Sequence, residues 1–458
     1  MIVDIFNIFR SYKQNGWMLV GIIYTMLTIP YGAYNQLITI SLLVVLLAYI
    51  LYMAQKNIPG YSIVMVALCM TIPKFTGASD VYIVGHRWLS VFLGLSIVAV
   101  TFMDIAKKKK SPFRGVSLVC IAYILIALLY CTNFTGKYLR GIFYIILYIH
   151  CIFYICYHDK IKLEAMFQGF SLIFIFISFY ALMHYFLNTG PYIALIDRSY
   201  AESLGYVFIR RAQGLQCNSL VLSAVCMIYH SLILLRFLKT RKMAVAMELL
   251  CVFVSVLTVS RTIFVVMAVQ FVLLLYFNQK LRIGSVIILT SIIGLFYIFV
   301  LSETVAMQDL FHRMETGSDH RESGYSTTWE IFSSHPLGVG KQRVARYMHK
   351  YNTGGIEEEL VTLDNFYLTQ IASYGIFSFV SFYFYMFYFF KIPRRLKHSK
   401  NRQALLLIII TWCLLGLSFD VESFEPVTVS CFCMLGILFK IFQLEDRNHY
   451  ELSINNHC

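Results

Sequence analysis

Residues 364–390 read DNFYLTQIASYGIFSFVSFYFYMFYFF. After Asp364 no charged side chain occurs for 26 residues. A helix of that length is about 39 Å long, and the hydrocarbon core of a bilayer is about 30 Å thick. Backbone amides inside lipid must be satisfied within the segment, so this stretch is read as a membrane-spanning helix. It is fed by residues 303–363, a mixed-polarity connection of roughly sixty residues, long enough to suggest a functional loop. That loop contains His335-Pro336-Leu337-Gly338-Val339-Gly340, and Gly375 stands further along the helix. Polar chemistry is therefore expected where loop and helix meet at the bilayer surface.

Composition extends this reading to the whole chain. Hydrophobic residues make up 59% of the 458 and charged residues 14%, with mean hydropathy +0.69. Soluble domains carry about 25% charged residues. The expected class is an all-α polytopic integral membrane protein with about 12–14 transmembrane helices and a large, partly helical outward loop. The net charge of +14 points first to topology and not to nucleic acid, because the Lys and Arg clusters sit between apolar runs. Twelve cysteines are scattered without a CxxC or a Cys/His array of metal-ligand spacing, so neither a disulfide framework nor a metal site is expected. No small-residue cleavage site follows the first apolar run, which is read as a span and not a signal peptide.

The apolar runs fall at about 17–30, 37–54, 58–72, 88–105, 116–132, 139–157, 166–187, 218–237, 244–260, 262–277, 283–302, 364–390, 404–419 and 426–443. The third is short for a full span and can be re-entrant. Only Arg261 separates the ninth from the tenth, which reads as a tight hairpin. Numbering the connections alternately from a cytoplasmic N-terminus places 24 of the 38 Lys and Arg residues inside, including Lys107 to Lys110 and the cluster from Lys391 to Arg402. The short outer connection with Asp420, Glu422 and Glu425 carries no base. Both termini are thus expected in the cytoplasm, with loops 188–217 and 303–363 facing outward. No internal repeat and no second domain is apparent.

Several residues could carry chemistry. Arg210 and Arg211 close the loop 188–217 and precede Ala212-Gln213-Gly214; a planar guanidinium suits phosphate, and interfacial snorkelling is the plain alternative. Arg261, between two apolar runs in Ser260-Arg261-Thr262, is pinned at a membrane face, where such charges usually meet a polar cavity or a partner. Arg313 and Arg321 lie in the large loop, where solvation explains them equally well. Arg343, Arg346 and Lys350 recur at helical spacing and could bind phosphate or an anionic sugar, or form a solvated face. Pro336 forces His335 out of helical geometry, and Gly338 and Gly340 permit a tight turn; His335 could accept a proton or simply pack that turn. Asp364 with Asn365 opens the long aromatic helix. Asp364 could cap it, or take a proton from a sugar hydroxyl.

Taken together, Arg211-Ala212-Gln213-Gly214, Ser260-Arg261, the stretch Trp329 to Gly340, and Asp364-Asn365 followed after nine residues by Gly375 resemble the O-antigen ligase and polymerase superfamily of bacterial membrane glycosyltransferases. The resemblance covers roughly residues 200–390. The ligase pattern has His-Asn where this chain has Asp364-Asn365, a departure that agrees better with a polymerase of the Wzy type. The resemblance implies a metal-independent, cofactor-free transfer between two undecaprenyl-diphosphate-linked glycans on the outer face of the cytoplasmic (inner) membrane, in lipopolysaccharide or capsule biosynthesis. The arginines would neutralise the leaving diphosphate, and Asp364 would orient or deprotonate the accepting hydroxyl. Asn365, Arg210, Arg211, Arg313, Arg321, Arg343 and Arg346 would bind diphosphate or glycan, with Asp364, Arg261 and His335 nearest the chemistry. Partners would be the lipid-linked oligosaccharides, membrane lipid, a chain-length regulator and a flippase, with no nucleic acid.

Three other readings stand beside this one. A ligase-type transferase would share most of these motifs. A lipid-linked oligosaccharide flippase or other transporter would carry charges at mid-membrane, and here Asp104 and Glu248 lie toward the cytoplasmic ends of their spans. A scaffold of an assembly complex would not need arginines focused on one surface.

Overall fold

A computed structural model of the chain describes residues 15–73, 84–107, 114–130, 149–193, 211–237, 241–258, 260–277, 319–341, 343–351, 365–396 and 402–455. Helices dominate these residues, and no strand occurs among them. The α-helices are α1 (Gly16–Gly32), α2 (Gln36–Gln55), α3 (Tyr61–Met70), α4 (Val84–Ala106), α5 (Arg114–Leu129), α6 (Ile152–His158), α7 (Leu163–Leu182) and α8 (Ser219–Phe237). They continue with α9 (Arg241–Leu257), α10 (Arg261–Phe277), α11 (Asp319–Ser334), α12 (Val344–Tyr351), α13 (Phe366–Tyr374), α14 (Ser378–Arg395), α15 (Arg402–Gly416) and α16 (Glu425–Asn455).

Among the described residues, five stretches are long and apolar enough to cross a membrane: Gln36–Gln55, Trp88–Ala106, Leu163–Leu187, Phe366–Ile392 and Glu425–Asn448. Shorter apolar helices, among them Gly16–Gly32, Ser219–Leu234 and Arg402–Gly416, accompany them. Large apolar side chains such as Leu37, Leu118 and Leu129 stand exposed on its outside. Water would make such a surface untenable, and lipid makes it ordinary. The chain is an all-α, multi-pass membrane protein.

The interior is organised around α16 and α3. α16 packs on α6, α3, α8 and α15, and its membrane window is the most buried of the five. Every residue of α3 is buried, against α1, α4, α7 and α16. Ten residues rise only about 15 Å, so α3 reaches about half of a hydrocarbon core. This is the short element expected at 58–72.

Two boundaries differ from the sequence reading. The run 364–390 is not one helix: α13 ends at Tyr374, a 3-10 turn spans Gly375–Phe377, and α14 follows. The residue that caps α13 is Asn365, whose Oδ1 accepts from Leu368 N at 3.1 Å. Asp364, expected as a possible cap, does not hold that position. Two helices, α9 and α10, do meet at Arg261 as read, both packed on α8, and the large loop carries α11 and α12. The run 283–302 lies outside the described residues.

Candidate functional site

The His335 turn and the helix break at Gly375 are one piece of structure. α11 stops at Ser334, and His335 N donates to Ile331 O at 2.8 Å as the last helical bond. Gly338 N then donates to His335 O at 2.7 Å and closes the turn. The turn pairs with the end of α13: Val339 N donates to Ala372 O at 3.1 Å, Gly340 N to Ser373 O at 2.8 Å, and Ile376 N to Pro336 O at 2.8 Å. Gly338 and Gly375 have φ of +89° and +53°, which favours glycine. Space demands glycine as well. A Cβ on Gly338 would lie 2.5 Å from Gly375 N, and one on Gly375 would lie 2.1 Å from Pro336 O. The two motifs singled out in the sequence thus meet backbone to backbone, and their meeting breaks the membrane helix. Tyr130 Oη adds a hydrogen bond to Leu337 O.

Lys341, the next residue after this turn in sequence, reaches a carboxylate pair in the turn between α15 and α16. Its Nζ lies 2.8 Å from Glu422 Oε2 and 3.1 Å from Asp420 Oδ2. Glu422 also accepts from Gln370 Nε2 at 2.7 Å on α13, Tyr385 Oη at 2.9 Å on α14, and Tyr123 Oη at 2.6 Å on α5. Four separate parts of the chain therefore converge on one side chain that is 7% exposed. Burial acts to raise the Glu422 pKa, but the Lys341 charge and the donors outweigh it and hold the carboxyl below its ordinary value. Burial likewise disfavours the Lys341 charge, and Asp420 and Glu422 overcome it and push that pKa up. The pair is an ionised, hydrogen-bonded tie between the turn and the bundle.

Past the turn, Arg343 N donates to Gly340 O at 2.9 Å and the chain enters α12. Arg343, Arg346, Tyr347 and Lys350 line a hollow of about 520 Å³. The helical spacing read in the sequence does place these cations on one face. The His335 ring meets Tyr347 edge to face, with ring centroids 4.7 Å apart. Tyr347 stacks in turn with Tyr351, and Lys350 lies 5.4 Å above the Tyr351 ring. A cationic, aromatic-walled hollow thus abuts His335, a combination suited to an anionic sugar derivative or diphosphate.

A second group forms around Arg211. Ala212 N donates to Leu257 O at 2.8 Å, which sets this segment on the α9–α10 joint where Arg261 begins α10. Gln216 Nε2 donates to Met70 O at 3.2 Å, and Asn218 Oδ1 caps α8 through Leu220 N at 2.9 Å. α16 runs from the Glu422 turn to Lys440, which donates to Asp159 O; the Asp159 carboxylate binds the N-terminus of α3, and Gln216 touches its opposite end. The Arg211 segment therefore meets the end of α3 remote from Asp159.

The remaining sequence candidates divide as follows. Asn365 has both side-chain ends engaged, with Oδ1 on the α13 cap and Nδ2 donating to Leu417 O at 3.0 Å, next to the Glu422 turn. Arg261 and Arg321 sit on described helices of which only their backbone is placed. Asp364, Arg210 and Arg313 lie outside the described residues.

Sequence reading missed the Glu422 tie. The acidic turn served only as a topology signal, although a lone Lys341 just after the glycine turn complements it. Tyr123 stands 299 residues from Glu422, and nothing local marks it. A second buried pair was also missed: His230 Nε2 lies 2.7 Å from Glu248 Oε1, and Gln270 joins His230 to Thr411.

No curated protein matches the chain. A family model described as O-antigen ligase matches residues 246–383, a segment that takes in most of α9, all of α10 to α13 and the start of α14. The matched segment includes Arg261, the His335 turn and Gly375. Over those residues the chain is similar to the O-antigen ligase family, and the match supports a place in the ligase and polymerase superfamily of membrane glycosyltransferases.

Proposed function

We propose that this protein is a polysaccharide polymerase that joins polyprenyl-diphosphate-linked repeat units on the outer face of the bacterial cytoplasmic membrane. The observation that carries this reading is the cationic hollow of Arg343, Arg346 and Lys350, whose wall residue Tyr347 packs against the His335 ring. In the reaction, an acceptor hydroxyl oxygen attacks the anomeric carbon of the growing glycan. The bond from that carbon to the diphosphate oxygen breaks, and polyprenyl diphosphate leaves with the electron pair. Arginines at Arg211, Arg261, Arg343 and Arg346 neutralise the charge that grows on the leaving group, in place of a divalent cation. The hydroxyl proton passes to Asp364, with His335 as the second candidate base. Arg210, Arg313 and Arg321 hold the diphosphate or glycan, while Asn365, first read as a binding residue, is buried with both side-chain ends bonded within the chain and serves as the α13 cap.

This reading takes both termini as cytoplasmic and loops 188–217 and 303–363 as outward, on the Lys/Arg bias. It also implies a flippase that supplies substrate and a regulator of chain length. A ligase reading has one observation in its favour, the description of the matching family. The Asp364-Asn365 pair, where the ligase pattern has His-Asn, favours the polymerase.

One experiment separates them. Asn365 already supplies the α13 cap, so Asp364→Ala removes a carboxylate without removing that cap. The variant should be produced normally and lose about 10²–10⁴-fold in rate. A polymerase then leaves single repeat units on the carrier lipid. A ligase would instead leave long chains on the carrier, and that outcome would overturn the proposal. Arg343→Ala with Arg346→Ala should give the same single-unit product.

A further inference from the structure

The end of α16 remote from the Glu422 turn carries another cationic hollow, which the reaction above does not use. Lys440, Gln443, Leu444 and Arg447 follow the i, i+3, i+4, i+7 spacing and form one face of the helix. Opposite them stand Tyr157, His158 and Lys160 at the end of α6, and the space between measures about 290 Å³. Tyr157 Oη donates to Gln443 Oε1 at 2.9 Å and ties the two walls. Lys440 Nζ donates to Asp159 O, which fixes where that ammonium sits.

The charge of this hollow is one-sided. Asp159 belongs to the same stretch, but its carboxylate turns inward and accepts from Gly60 N at 3.0 Å and Ser62 Oγ at 2.6 Å. Glu445 and Asp446 are off the lining face. Three cationic side chains line the space, and no carboxylate does so among the described residues. Lys440 lies about 22 Å and Arg447 about 33 Å along α16 from Glu425, so the hollow sits where a core about 30 Å thick gives way to head groups. Half-exposed Leu444 gives it an apolar edge. The volume, near the low end of the roughly 300–1,000 Å³ usual for small-molecule sites, suits a head group better than a whole lipid.

We propose that this hollow binds the phosphate of an anionic phospholipid from the leaflet at that face. The cations supply charge-assisted hydrogen bonds, and Leu444 meets the glycerol end of the acyl chains.

The test uses the full chain in detergent, titrated with short-chain phosphatidylglycerol, phosphatidylcholine or inorganic phosphate, and read by thermal unfolding and by native mass spectrometry. Phosphatidylglycerol should raise the midpoint and remain bound as a discrete adduct, while phosphatidylcholine does neither. Lys160→Gln with Arg447→Gln changes two exposed side chains and should weaken phosphatidylglycerol about 30-fold, on about one kcal/mol for each basic residue. Equal response to the two lipids, an unchanged affinity in the double variant, or inorganic phosphate binding as well as the lipid would each overturn the proposal.

Discussion

Glu422 and Asp159 are both carboxylates withdrawn from solvent, at opposite ends of α16, and they are built in opposite ways. Asp159 is wholly buried and accepts from Gly60 N, Ser62 N and Ser62 Oγ at the start of α3. It acts as a helix cap delivered from a distant part of the chain. Glu422 is held by side chains from α5, α13 and α14 and by Lys341, a cation that is 32% exposed. Main-chain donors make Asp159 part of the scaffold. Side-chain donors make Glu422 a junction whose arms reach the candidate site. The two also titrate in opposite senses: burial raises the Asp159 pKa, while Lys341 and the hydrogen bonds carry Glu422 below its ordinary value despite burial.

The largest effect should come from Asp159→Ala. It strands the donors at the start of α3 in the interior, at a cost of about 3 kcal/mol or more. The amount of folded protein recovered from membranes should fall steeply, and the protein that does fold should keep its activity per molecule. A variant recovered in full but inactive would erase the contrast between scaffold and junction.

Glu422→Gln should cost less stability, about 2 kcal/mol, because Lys341 keeps Asp420 and is partly solvated. Its larger consequence is expected in polymer yield, since the His335 turn loses the shorter of its two ionic contacts with the bundle. Exchanging the charges, Lys341→Glu with Glu422→Lys, should recover part of that yield. No recovery, with both proteins well folded, would reduce the tie to packing.

Tyr385→Phe removes one of the donors to Glu422 and should cost about 1 kcal/mol, measured by thermal unfolding in detergent.

The smallest effect is in pH dependence. Glu422 contributes stability that is complete above its unfolded value, about 4.5, and is lost as pH falls through the lower folded value. Asp159 does the reverse: its contribution is complete below about 3.8 and declines as pH rises through the higher folded value. Acid unfolding of Glu422→Gln should therefore be flatter below pH 4.5 than that of the parent. An identical acid limb would show that Glu422 is not ionised in the folded protein.

The legible parts of this molecule were those that depend on neighbours in sequence. Apolar runs gave the helices because lipid leaves the backbone no alternative. The Arg343, Arg346 and Lys350 stripe and the glycine turn after Pro336 were readable for the same reason, as spacing and backbone geometry are local. Gly375 was visible but its consequence was not, since only the approach of Pro336 O shows why the helix must break there. Capping was misread by one residue, because Asp364 and Asn365 are equally good caps on composition alone. The Glu422 junction and the His230–Glu248 pair were out of reach: packing brings together residues 299 apart in the first and 18 apart, on two different helices, in the second.

The half-length helix α3 also constrains how the chain can be made. A ten-residue segment cannot cross the bilayer unaided as it leaves the ribosome. The carboxylate that accepts from Gly60 N arrives 99 residues later in synthesis. Until α6 and Asp159 have emerged, the start of α3 must stay within reach of water at the membrane surface. Its descent into the bundle is then a late event in biogenesis, taken against helices already inserted. Nascent chains stalled before residue 159 should leave a label at Ser62 open to aqueous reagents, and chains stalled after α7 should close it.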